Sequence, residues 1–127
     1  MPRIFHILTW FYVVLLTLLL WLPDPRTYFR TELSDEGPAG YAHIITFALL
    51  AFLIEIDRER KSRFFWTTLL IGYVFLTEIV QEMLPTFRCF DIADIIQDLA
   101  GLMLGLYFAD IAKPMVRRFL NRSSAIS

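Results

Sequence analysis

Four long apolar runs separated by short polar stretches organise the chain: Phe5 to Leu22, Tyr41 to Ile56, Phe64 to Leu84 and Ile92 to Ala112. Each approaches the ~20 residues a helix needs to cross ~30 Å of hydrocarbon. The pattern predicts an all-α membrane protein, a bundle of four transmembrane helices with both termini on one side. Little chain lies outside the runs, so residues 1–127 read as a single transmembrane domain whose activity lies within the bilayer. The first run is longer than a signal-peptide core, and Trp21-Leu22-Pro23-Asp24 lacks the small-residue cleavage pattern, so it reads as a retained helix. Asp35-Glu36-Gly37-Pro38-Ala39-Gly40 is a turn that ends the first interhelical loop.

Composition agrees. Hydrophobic residues make up 57% of the chain, aromatics 16%, and the mean hydropathy is +0.54, outside the range of soluble domains. Charge then orients the bundle. Arg3, Arg58, Arg60, Lys61, Arg63, Lys113, Arg117, Arg118 and Arg122 fall on one side and only Arg26, Arg30 and Arg88 on the other. Nine against three predicts cytoplasmic termini, with Trp21, Tyr41, Trp66 and Tyr107 as interfacial anchors. Solvated basic loops of this kind require no nucleic acid.

One stretch breaks the apolar pattern. In TEIVQEMLPTFRCFDIADIIQDLAG, residues Thr77 to Gly101, helical spacing puts Glu78, Gln81 and Glu82 on one face of the third helix. Asp91, Asp94 and Asp98 form one stripe on the fourth. Pro85 and a short connection make these helices antiparallel neighbours, and counting at 1.5 Å per residue places Glu78 and Asp98 at one depth, ~10 Å below the outer boundary. His43 opens the second helix on the same side, and Arg88 lies in the connection above. Gly101 and Gly105 continue the aspartate stripe as Gly-x-x-x-Gly, a pattern of close helix packing. The expectation is an outward-facing polar pocket, with the two acidic stripes facing each other because an ionisable group against lipid costs ~2.5 to 3.5 kcal/mol.

The five acids outnumber Arg88 and His43. The excess requires bound protons, a cationic ligand, a further basic residue such as Arg26 or Arg30, or a divalent cation such as Mg, Ca or Mn, which suits oxygen-rich surroundings. Neither His-Glu-x-x-His nor an EF-hand pattern occurs. The plainer readings are a hydrogen-bonded helix-end histidine at His43, an Arg88–Asp91 surface pair or a cap at Asp91, and a solvated Glu82. Glu78, Gln81, Asp94 and Asp98 resist that treatment, since intramembrane acids mark functional sites. Cys89 is the single cysteine, which excludes an intramolecular disulfide.

These positions also carry a resemblance. His43 with Phe47 four residues on, then Glu78, Gln81, Arg88, Asp91, Asp94 and Gly101, resemble the VanZ-like family of small integral membrane proteins; Asp98 stands where the family pattern has Asn, and Gly40 and Tyr41 where it has an acid. The resemblance implies a multi-pass protein of the bacterial cytoplasmic (inner) membrane and a link to the cell envelope and glycopeptide (teicoplanin-type) antibiotic resistance. The leading expectation is an envelope protein whose acidic pocket binds a cation or lipid-linked head group. The alternatives are a small accessory subunit, its pocket burying a Lys or Arg of another membrane protein, and a membrane-embedded acid/base enzyme acting on a lipid head group.

Overall fold

Backbone polar groups surrounded by hydrocarbon must find partners within their own segment, which favours helices wherever apolar runs are this long. The computed structural model describes residues 3–22, 39–58, 62–84 and 92–124. They form α1 (Arg3–Trp21), α2 (Ala39–Asp57), α3 (Arg63–Met83) and α4 (Ile92–Ser124), with no strand among the described residues. Three segments are long and apolar enough to cross a membrane: Arg3–Trp21, Arg63–Met83 and Ile92–Phe119. The hydroxyls of Thr9, Thr17, Thr46, Thr68 and Thr77 bond carbonyls three or four residues back, so these polar side chains are satisfied without leaving their helix.

The observed helix ends match the sequence-based ones within two residues except at the end of α4, which continues twelve residues past Ala112, through Pro114. The apolar run does stop there. The helix does not, because its backbone bonds need no apolar face and a proline withdraws only one amide donor. Lys113, next to that proline, is itself held in the bundle (below).

The helices follow one another around the bundle in the order α1, α2, α4, α3, and the most extensive contact is between α2 and α4. Small residues explain this pairing. A Cβ on Gly101 would stand 2.5 Å from the Ile44 carbonyl oxygen, and one on Gly105 would overlap the Ala48 carbonyl and lie 2.8 Å from the Ala51 Cβ. Bare backbone is what lets α4 lie directly on α2, a close approach that gains dispersion contact where lipid offers no hydrophobic driving force. α4 thus packs chiefly on α2, and Asp98, expected to face the α3 stripe, has His43 of α2 as its hydrogen-bonded partner.

Leu16, Leu20, Phe47, Leu50, Leu70, Val74, Ile95 and Leu102, drawn from all four helices, form the core. Large side chains such as Phe11, Phe64, Ile96 and Met103 are exposed, the surface a bilayer would cover.

Candidate functional site

The acids of α3 and α4 gather near one end of the bundle. Asp98 is 1% exposed and Glu78 2%, and Gln81 is also buried. Asp98 Oδ1 lies 2.9 Å from Nδ1 of His43, so a side chain at the start of α2 orients a carboxyl one turn above the Gly101 crossing. The Nε2 of His43 faces Asp94 Oδ2 at 3.9 Å, too long for a direct hydrogen bond and short enough for electrostatic attraction. An imidazole thus stands between a buried carboxyl and a half-exposed one. Gln81 donates 2.8 Å to the Leu20 carbonyl, joining α3 to the last turn of α1. Glu82 is exposed, and Arg88 and Asp91 lie outside the described residues. Among the described residues no group of three or more His, Cys, Asp or Glu side chains is arranged to hold a metal ion.

The opposite end carries a polar assembly that the sequence reading missed. Glu55, read as part of an apolar run, is 1% exposed and takes two cations: Lys113 Nζ at 3.0 Å from Oε1, and the Arg58 guanidinium on Oε2. Arg58 also sits 5.9 Å from the Trp66 ring, and its Nη1 donates 3.4 Å to the Ser62 carbonyl. Nearby, Arg63 grips Asp110 with two parallel bonds of 3.0 and 2.9 Å. His6 completes the set. Its Nε2 accepts from Trp10 Nε1 at 3.0 Å, so Nδ1 carries the proton donated over 2.8 Å to Asp57. The basic residues Arg58 and Lys113, read as solvated loop charges, are in fact buried partners of an acid. The only signal of this in the sequence was a lone Glu at the fifteenth position of the apolar run Tyr41 to Ile56, with cations three residues on and at the end of another apolar run.

A cavity of about 490 Å³ lies between α1, α2 and α3 toward this second end, lined by His6, Trp10, Val13, Arg58, Trp66 and Tyr73 among others. His43, Asp94 and Asp98 are not part of its wall. No family model, curated protein or solved structure matches the chain.

Proposed function

We propose that the protein is a four-span, VanZ-like protein of the bacterial cytoplasmic membrane, with cytoplasmic termini, whose outward-facing cluster binds a cation or the head group of a lipid-linked envelope precursor. The observation that carries this reading is the Asp98–His43–Asp94 arrangement on membrane-length helices, where a fully buried carboxyl has an imidazole for its hydrogen-bonded partner. Intramembrane acids held this way serve ion or substrate sites more often than packing. The basic bias of the α2–α3 connection and of the α4 end supports the orientation, and α2, with its 19 residues, is long enough to be the fourth span. A link to teicoplanin-type resistance follows from the resemblance alone.

Native mass spectrometry of the gently extracted protein tests the binding reading. A stoichiometric cation or lipid adduct that disappears in Asp98→Asn and Glu78→Gln supports it. Bare chains in all three samples, with full complementation of the deletion phenotype by both variants, would sink it.

A second reading draws on the same geometry. A histidine oriented through Nδ1 by a buried carboxyl, with Nε2 turned to a more open side, has the layout of a general base, so the cluster could run acid/base chemistry on a lipid head group. Conversion of polyprenyl phosphate or pyrophosphate lipids by purified protein, abolished in His43→Gln, distinguishes this reading from simple binding.

A further inference from the structure

At the Glu55 end the fold uses up its acids. Glu55 holds Arg58 and Lys113, Asp110 holds Arg63, and Asp57 holds His6. Four arginines at this end are exposed and take no hydrogen-bonded or ion-pair partner among the described residues: Arg3 on α1, and Arg117, Arg118 and Arg122 on the last turns of α4. Among the described residues, this end therefore carries positive charge that the chain does not itself cancel.

Depth gives that charge a setting. The part of α4 long and apolar enough to cross a membrane runs from Ile92 to Phe119, and its 28 residues extend about 42 Å. That length covers the ~30 Å of hydrocarbon together with the head-group layers, so Arg118 and Phe119 stand at head-group level. Arg122 is one turn farther out, and its side chain leans toward the helix N-terminus, which here means back toward the bilayer. Direction agrees with depth. Lys113 points into the bundle to reach Glu55. At about 100° per residue, Met115, Arg118, Phe119 and Arg122 fall within one strip on the opposite side of the helix, roughly 100° wide. All four are exposed. Two guanidinium groups beside two apolar side chains, at the depth where hydrocarbon gives way to phosphate, match the layered chemistry of an anionic lipid surface. A nucleic acid or an acidic protein segment would meet the charges and leave Met115 and Phe119 unexplained.

We propose that the strip Met115, Arg118, Phe119 and Arg122 of α4 docks anionic phospholipids of the adjoining leaflet, its guanidinium groups donating to the head-group phosphates and its apolar side chains entering the acyl layer. The strip is at the other end of the bundle from the acidic cluster and does not rest on the function assigned there.

Native mass spectrometry of the full chain released from mixed micelles of phosphatidylglycerol and phosphatidylcholine tests it, alongside a phosphatidylglycerol analogue with a photoreactive head group whose cross-links are mapped by peptide analysis. Expected are preferential retention of phosphatidylglycerol, a preference that weakens as salt is raised, and head-group cross-links on the segment from Met115 to Arg122. A basic residue at an anionic membrane surface contributes about fivefold in affinity, so Arg118→Gln/Arg122→Gln should lower the preference by at least about fivefold. Its melting temperature should be unchanged, because neither side chain bonds within the fold. Asp98→Asn should keep the wild-type preference, which separates this surface from a lipid site at the acidic cluster. Equal retention of the two lipids, a preference that survives in the double variant or is lost in Asp98→Asn, or cross-links confined to other segments would overturn the proposal. So would a nucleic acid or acidic protein that accompanies the wild type, is lost in the double variant and leaves no lipid preference.

Discussion

The two ends of the bundle bury acids of the same kind under opposite terms. Glu55 is surrounded by the chain's own cations, Arg58 and Lys113, so its charge is cancelled within the fold. Asp98, equally buried, has a histidine, with a second carboxyl on that histidine's far side. A carboxylate whose charge is met by cations of its own chain reads as architecture. An acid whose hydrogen-bonded partner is an imidazole, itself flanked by another acid, is left sensitive to protons and cations from outside. The contrast separates a fastening from a candidate site more clearly than burial does, since burial is the same for both.

The contrast can be broken experimentally. The largest effect should come from Glu55→Ala, which leaves two buried cations without their anion. Removing one partner of such a pair costs about 3–5 kcal/mol, to be read from denaturant unfolding in detergent, and the double variant Glu55→Leu/Lys113→Met should recover part of that loss. Next comes Gly105→Leu, whose side chain meets the α2 backbone at Ala48. Overpacking of this type costs about 1–3 kcal/mol, whereas Gly72→Ala, where a Cβ meets nothing within 4 Å, should be neutral or slightly stabilising on the same melting curve. Asp98→Asn should change stability by less than about 1 kcal/mol, because an amide oxygen can accept the same His43 proton, while any adduct at the cluster is lost. Were Asp98→Asn to melt as early as Glu55→Ala, the two ends would be fastenings alike. The smallest change belongs to Arg63→Ala. Its pair with Asp110 is well aligned but two-fifths to one-half exposed, so the loss should be at most about 1 kcal/mol and shrink with added salt.

The helices were legible because hydrocarbon thickness acts directly on the length of apolar runs, and Phe64 to Leu84 against the observed Arg63–Met83 shows how closely. The burial of Glu78, Gln81 and Asp98 was legible for a related reason: helical spacing places them on stripes that cannot face lipid. Partner choice was harder. A short connection between α3 and α4 suggested that these two would share the acids, but the decisive contacts are between residues far apart in the chain, Gly101 and Gly105 against Ile44, Ala48 and Ala51. Glu55 escaped notice because one acid near the end of an apolar run looks like an interfacial residue until its cations, one of them 58 positions away, are seen to converge on it.

The attachment of α1 has a mechanical consequence. Apart from its apolar contacts, this helix is joined to the bundle, among the described residues, by hydrogen bonds at four heights: His6 to Asp57, Tyr12 to the Thr46 carbonyl, Thr17 to Tyr73, and the Leu20 carbonyl to Gln81. Interhelical bonds in lipid average only about 0.6 kcal/mol each, so they act as rungs that release singly. The lowest rung, His6, stands beside the cavity, and the highest, Gln81, beside the acidic cluster. The loss of any one rung therefore leaves the other three in place, so the attachment of α1 is spread along its length and does not depend on a single bond.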